Sequence, residues 1–130
     1  MENKEQNKLG NILIVEDDTF MGGLLQRKFV QENYEILNAT NTESALEILK
    51  KNKIDLILLD IILPGTDGIT FLSSIKKDPV FKNIPVIITS NLGQPEEIEK
   101  GLQAGAIDYI VKANTVPAEI VEKVKSVLKK

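Results

Sequence analysis

Short apolar runs alternate with longer amphipathic stretches along the chain, and this alternation limits the possible folds more than any other feature. Four runs rich in β-branched or bulky residues predict strands at 12–15, 54–59, 86–88 and 109–111, and a weaker run predicts one at 34–37. Such continuous runs are typical of parallel strands that are covered on both faces.

Apolar residues recur at helical spacing between these runs. They predict helices over 20–31, 42–51, 67–77, 96–104 and 117–129, although Gly22 and Gly23 weaken the first helix. A strand followed by a helix, repeated five times, predicts an α/β fold with a doubly wound parallel sheet, (βα)5.

Length and composition favour one globular domain over 1–130, with residues 1–8 and 129–130 frayed at the ends. Binding to a nucleic-acid backbone needs a concentrated basic surface, which a net charge of −3 does not indicate. No apolar run approaches the ~20 residues of a membrane span. The polar N-terminus does not resemble a secretory signal. We therefore expect a cytoplasmic protein that binds neither membranes nor nucleic acid directly.

Cysteine and histidine are both absent from the sequence. Their absence excludes disulfides, thiolate chemistry, histidine-based general base catalysis and the usual zinc sites. Any chemistry in this chain has to use carboxylates, hydroxyls, lysines and a bound hard cation.

Polar residues follow the predicted strands where each strand ends. These residues are Glu16, Asp17 and Asp18 after strand 1, Asp60 after strand 3, Thr89, Ser90 and Asn91 at strand 4, and Lys112 after strand 5. Ligands of open α/β sheets bind beyond the carboxyl ends of the strands. With strand order 2-1-3-4-5, strand 3 is central and its neighbours lie ~4.8 Å away, so these groups would share one rim.

Clustered carboxylates repel one another unless a cation compensates their charge, and Mg²⁺ suits oxygen ligands in a chain without histidine or cysteine. Lys112 adds a second positive charge, and Ser90 adds a hydroxyl donor. Positioning and charge neutralisation supply nearly all the catalysis of phosphoryl transfer. Asp60 is the candidate nucleophile, because an aspartate can form an acyl phosphate.

Four segments in this order resemble the response-regulator receiver domains of two-component signalling. They are ILIVEDD at 12–18, DLILLDIILPGTDG at 55–68, PVIITSN at 85–91 and DYIVKA at 108–113. The resemblance extends from about Asn11 to Leu128 and implies a flavodoxin-like fold of the chemotaxis-regulator-like superfamily.

The resemblance also implies a role for each matching residue. Asp60 would be the phosphoacceptor, Lys112 would contact the phosphoryl oxygens, Ser90 would be the switch hydroxyl and Tyr109 the aromatic switch. The ligands of Mg²⁺ would be Glu16, Asp17, Asp60 and the backbone carbonyl of Ile62.

A receiver of this kind implies a binding switch rather than an enzyme, since it catalyses only its own phosphorylation and dephosphorylation. The phosphodonor would be a histidine kinase or a His-containing phosphotransfer protein. The output face would combine the fourth helix, the fifth strand and the fifth helix, and would bind a downstream protein target or a second copy. A stand-alone regulator, a phosphorelay intermediate and a receiver from a longer protein are all compatible with the sequence.

Two positions depart from the family pattern. Ala113 stands where the family usually has proline after a cis bond, and a cis bond without proline costs about 2.5–4 kcal/mol, so we predict a trans bond and an altered loop. Asn91 replaces a small residue. With Ile62 and Leu92 nearby, it is predicted to slow the attack of water on the acyl phosphate.

Three other functions fit the sequence less well. A phosphatase of the haloacid-dehalogenase type needs a second acid where this chain has Ile62. A flavin-binding module of similar topology would bind the flavin phosphate after strand 1, where the acidic residues 16–18 would repel it. A degenerate receiver that only binds partners is a third alternative, although the motif residues are all retained.

Some of these residues also have structural interpretations. Asp18 is expected to cap the first helix, and Tyr109 is as compatible with packing in the core as with a switch. Gly65, Gly68 and Gly105 are interpreted as backbone punctuation.

Overall fold

The computed structural model describes residues 8–129, and its elements alternate as the sequence predicts. The strands β1 to β5 span Asn11–Val15, Glu35–Ala39, Leu56–Leu59, Val86–Ser90 and Asp108–Val111. The helices α1 to α5 span Thr19–Gln31, Thr42–Lys51, Gly68–Lys77, Pro95–Gln103 and Pro117–Leu128. Of the residues predicted to fray, 1–7 and 130 lie outside the described part.

The ends of the predicted strands differ from the observed ones by up to two residues. The apolar run predicts that the third strand begins at Ile54; this residue is buried, yet β3 begins only at Leu56. Tyr34 precedes β2, and its ring packs edge-on against Phe29 at a centroid distance of 6.0 Å. An apolar run indicates which residues are buried. The predicted strand is therefore too long wherever a buried residue belongs to the preceding turn.

All four strand pairings are parallel, and the order is β2-β1-β3-β4-β5, as predicted. One face of the sheet packs residues such as Leu13 and Leu59 against α2 and α3, and the other packs Ile14 and Leu58 against α1 and α5. Burial on both faces explains the continuous apolar runs. This order places the carboxyl ends of β1, β3 and β4 side by side.

Aspartates cap α1 and α3, two of the helices that begin at the carboxyl ends of the strands. Asp18 Oδ1 accepts hydrogen bonds from the backbone nitrogens of Phe20 (3.0 Å) and Met21 (3.2 Å), which confirms its predicted capping role. Asp67 caps α3 in the same way, through Ile69 N at 3.2 Å. The loops before α1 and α3 are therefore fixed by side chain to backbone bonds. No helix in residues 8–129 is long and apolar enough to cross a bilayer.

Lys76, near the end of α3, contacts both the loop before β4 and the loop before β5, at the amino ends of the strands. Its ammonium group donates to the backbone carbonyl oxygens of Ile84 (2.6 Å) and Lys82 (3.1 Å), and burial lowers its pKa. Its aliphatic stem passes under Gly105, whose φ is +122°, and a Cβ there would lie 2.6 Å from Lys76 Cγ.

Replacing Lys76 with methionine is expected to lower the free energy of unfolding by about 1–3 kcal/mol, because the two carbonyls lose a charged donor. Urea denaturation followed by circular dichroism measures this change. Lys77→Met, at an exposed position of the same helix, should stay within about 0.5 kcal/mol of the parent protein. Equal losses in the two variants would contradict the clamping role.

Candidate functional site

Three carboxylates meet at the carboxyl ends of β1 and β3. These strands are neighbours, Val15 pairs with Leu59, and Asp60 N donates to the carbonyl oxygen of Val15 at 3.0 Å. One carboxylate oxygen from each of Glu16, Asp17 and Asp60 lies within 4.8 Å of the others. The strand order thus brings together the acidic residues that the sequence singled out.

Lys112 reaches this cluster from the end of β5. Its Nζ lies 2.5 Å from Glu16 Oε1 and 3.0 Å from Asp60 Oδ2. The side chains of Lys112, Glu16 and Asp60 are 11%, 3% and 8% exposed, so these contacts are largely shielded from water. The lysine crosses the space beyond β4, as the sequence predicted, and bridges two carboxylates.

The surroundings of the cluster shift the pKa of Glu16 and of Lys112. Burial raises the pKa of Glu16, although its hydrogen bond to Lys112 acts in the opposite direction. Burial by itself would lower the pKa of Lys112, but the hydrogen bonds and charges of Glu16 and Asp60 outweigh it, and the pKa is raised. Three carboxylates beside one ammonium group favour a further cation, and ligands that are all oxygen fit Mg²⁺.

The Asp60 carboxylate is held from both sides. Oδ1 accepts a hydrogen bond from Ile62 N at 3.0 Å, and Oδ2 accepts the bond from Lys112. Asp17 is exposed and Ile62 is 52% exposed, so the cluster opens to solvent beside them. The cluster is therefore closed on the side of Lys112 and open to solvent on the side of Asp17 and Ile62.

Ser90 and Tyr109 are joined through one residue of the loop after β4. The fully buried Ser90 accepts a hydrogen bond at Oγ from Leu92 N (3.2 Å), and Leu92 O accepts one from the Tyr109 hydroxyl (2.6 Å). Burial raises the pKa of the half-buried Tyr109. Sequence reasoning missed this link, because both Leu92 groups are backbone atoms.

Gly68, the first residue of α3, is required for a close approach of two backbone segments, which its interpretation as backbone punctuation does not reveal. A Cβ there would lie 2.4 Å from Ile61 Cα and 3.0 Å from the carbonyl oxygen of Asp60. The helix start therefore presses directly on the backbone that carries the Asp60 side chain. Gly65 and Gly105 have positive φ angles, in agreement with their predicted role as backbone punctuation.

The bond before Ala113 is trans, as predicted, since residues 8–129 contain no cis peptide bond. Lys112–Asn114 form one turn of 3₁₀ helix directly after β5. This turn leads into α5 without disturbing the contacts of Lys112. Whether the loop differs from that of relatives with proline at this position stays a prediction.

Comparisons with known proteins identify the family of this fold. The model of the response regulator receiver domain family matches residues 12–125. The phosphate regulon transcriptional regulatory protein PhoB of Pseudomonas aeruginosa is 38% identical over 119 residues, which cover 92% of this chain and 52% of PhoB. The chain spans about half the length of the curated relatives it matches.

Two solved structures extend the comparison to three dimensions. A CheY-like receiver domain protein from Methanospirillum hungatei JF-1 matches with a TM-score of 0.85 and 30% identity, over 94% of this chain and 95% of that one. The BeF3-activated receiver domain of Klebsiella pneumoniae RstA matches with a TM-score of 0.84 and 29% identity, over 92% and 99%. The family match spans most of the chain and the fold agrees, so the chain belongs to the response regulator receiver family.

Proposed function

We propose that this chain is a phosphorylation switch in which Asp60 is the phosphoacceptor. The observation that carries the proposal is the setting of its carboxylate, which is fixed by Ile62 N and Lys112 Nζ beside Glu16 and Asp17. A buried aspartate held next to a lysine and two further carboxylates suits acyl phosphate formation at a cation site. Residues 1–130 would act as one receiver unit.

The carboxylate of Asp60 would attack the phosphorus atom of the donor as the donor's leaving group departs, giving an aspartyl phosphate. Glu16, Asp17, Asp60 and the backbone carbonyl of Ile62 would hold Mg²⁺. When bound, that ion neutralises charge on the phosphoryl oxygens. Lys112 would exchange a carboxylate contact for a phosphoryl oxygen, which keeps its charge compensated.

The phosphodonor in this proposal is a phosphohistidine of a histidine kinase or of a His-containing phosphotransfer protein. The switch would operate in the cytoplasm. The chain would not turn over external phosphate esters, since Ile62 occupies the place where a phosphatase of similar chemistry carries an acid. In a phosphatase assay, the protein should therefore hydrolyse a generic aryl phosphate no faster than the compound hydrolyses spontaneously.

The signal would leave the site through Ser90. If its hydroxyl turns toward the phosphoryl group, it releases Leu92 N, and the same residue holds the Tyr109 hydroxyl through its carbonyl oxygen. Tyr109 lies on β5, between α4 and α5 in the chain. Phosphorylation would thus bias the conformation of the α4–β5–α5 face, which would bind a downstream protein or a second copy.

Intact mass spectrometry after incubation with acetyl phosphate and Mg²⁺ tests the proposal. We expect one added phosphoryl group on the parent protein and on Asp78→Asn, since asparagine can still cap the turn after α3. Asp60→Asn should remain unmodified, as should the parent protein in EDTA. Modification of Asp60→Asn, or of the parent protein in EDTA, would contradict the proposal.

Replacing Asn91 with alanine is expected to shorten the lifetime of the phosphorylated protein about three- to tenfold, or about 0.7–1.4 kcal/mol of activation free energy. Asn91 is exposed directly after Ser90, where its side chain can restrict the approach of water. The decay of the phosphorylated mass with time measures the effect. Asn83→Ala, an exposed change at the other edge of the sheet, should leave the lifetime unchanged, and an unaltered lifetime in Asn91→Ala would refute the shielding role.

A further inference from the structure

A groove with a volume of about 810 Å³ lies between β5 and α5, at the open edge of the sheet. Tyr109, Ile110, Val111 and Ala118 contribute apolar surface to it. The volume lies in the range of roughly 300–1,000 Å³ that is usual for sites that bury a ligand or an anchoring side chain. None of the carboxylates near Asp60 lines the groove, so it is separate from the phosphoryl chemistry.

The charged residues along this groove are mostly acidic. Glu119 and Glu122 are exposed and line it. Lys123 lines it too, but its Nζ lies 2.8 Å from Asp108 Oδ2 and is already compensated. Lys125 lies closer to Glu32 (2.8 Å) than to Glu122 (3.7 Å). Glu119 Oε1 accepts a hydrogen bond from Val116 N at 3.1 Å, but this neutral donor leaves the negative charge of the carboxylate in place. The groove therefore presents a small excess of negative charge around an apolar surface.

The open edge of β5 is poorly suited to the addition of another strand. Asp108 Oδ1 accepts a hydrogen bond from Tyr109 N at 2.8 Å, and Thr115 Oγ1 donates to the carbonyl oxygen of Val111 at 3.0 Å. These backbone groups are already bonded to side chains, and charged side chains are a common protection of sheet edges. An occupant would engage the groove through its own side chains, as an amphipathic helix does.

We propose that the groove between β5 and α5 binds a basic amphipathic helix of a partner protein. Apolar side chains of the helix would enter the groove, and its lysines or arginines would face Glu119 and Glu122. The inference rests on the proposed function, because the groove belongs to the face that the switch would control. Tyr109 lines the groove and is linked to Ser90 through Leu92, so phosphorylation would change its shape.

Fluorescence polarisation with two labelled peptides tests the chemistry of the partner. The first probe is a designed peptide of leucine and lysine at helical spacing, and the second has glutamate in place of each lysine. The full chain should bind the lysine probe in a saturable manner and leave the glutamate probe free. Binding of both probes with similar affinity, or of neither, would overturn the proposal.

Two charge reversals separate the groove from general attraction between an acidic protein and a basic peptide. Glu122→Lys places a lysine on the lining of the groove, next to Lys125, and Glu47→Lys places one near Lys51 on α2, with the same change in net charge. Glu122→Lys should weaken binding of the lysine probe about three- to tenfold more than Glu47→Lys does. Equal weakening would show attraction by net charge alone and would contradict the proposal.

A third variant, Ala118→Trp, fills the groove without a change in charge. Ala118 is exposed at the start of α5, so the indole can occupy the groove while the core stays intact, which a circular dichroism melt verifies. Binding of the lysine probe should be lost in this variant. Retained binding would place the probe elsewhere and overturn the proposal.

Binding with and without acetyl phosphate separates this inference from the proposed function. Probe affinity that differs between the two states in the parent protein, but not in Asp60→Asn, supports both. Specific binding that never responds to acetyl phosphate supports the groove and counts against the switch. A phosphorylated protein that ignores the probe, and that forms dimers prevented by Ala118→Trp, would assign the groove to a second copy instead.

Discussion

Replacing Lys112 with methionine is expected to lower the free energy of unfolding by about 3 kcal/mol at neutral pH in EDTA, because two buried carboxylates lose their shared cation. The side chains of Glu16 and Asp60 are 3% and 8% exposed, and both contact the ammonium group. Urea denaturation measures the loss. Millimolar Mg²⁺ should recover more stability in this variant than in the parent protein, since an added cation replaces part of the missing charge.

Lys100→Met is the matched control for this prediction. Lys100 is exposed on α4, so its removal subtracts the same charge without uncovering a buried carboxylate. Its effect should stay within about 0.5 kcal/mol. If Lys112→Met proved as stable as Lys100→Met in EDTA, the description of Lys112 as the internal counter-ion of the cluster would be wrong.

Replacing Gly68 with alanine is expected both to destabilise the protein by about 1–3 kcal/mol and to slow phosphorylation of Asp60 strongly. The added methyl group would lie 2.4 Å from Ile61 Cα, so the backbone itself has to move. A small displacement of Asp60 disturbs its alignment with Lys112 and the neighbouring carboxylates. Such misplacement can cost about 10²-fold in rate. Urea denaturation and the rate of phosphoryl incorporation measure the two effects.

Gly23→Ala supplies the contrast for Gly68→Ala. Gly23 lies inside α1, and the nearest atom to an added Cβ would be the mobile Arg27 Nη1 at 3.9 Å. Alanine there should stabilise the protein by about 0.5–1 kcal/mol, because glycine weakens a helix interior. If Gly68→Ala behaved like Gly23→Ala, with normal phosphorylation, the close approach of α3 to Asp60 would have no functional weight.

Much of the fold follows from local patterns in the sequence. Continuous apolar runs identified β1, β3 and β4, because these strands are buried from both faces. A shorter run identified β5, of which only Ile110 is buried, and apolar residues at helical spacing identified α5. The order of the strands placed the acidic residues at one edge. The position of Lys112 at the same end of the sheet was also predicted, but its contacts with both Glu16 and Asp60 appear only in the structure.

The remaining features depend on atoms whose positions no local pattern encodes. The link from Ser90 to Tyr109 uses the backbone of Leu92, which any residue except proline could supply. Gly68 has no unusual φ angle to mark it, and its requirement appears only when α3 is placed against Ile61. The groove between β5 and α5 likewise results from how two distant segments pack.

The most direct test of the central claim locates the acyl phosphate in the chain. Borohydride reduces an aspartyl phosphate to homoserine, and peptide sequencing by mass spectrometry then finds the altered residue. After incubation with Mg²⁺ and acetyl phosphate, we expect homoserine at position 60 and unmodified aspartate at position 17. Homoserine at Asp17, or at another aspartate while Asp60 stays intact, would contradict the assignment of Asp60 as the phosphoacceptor.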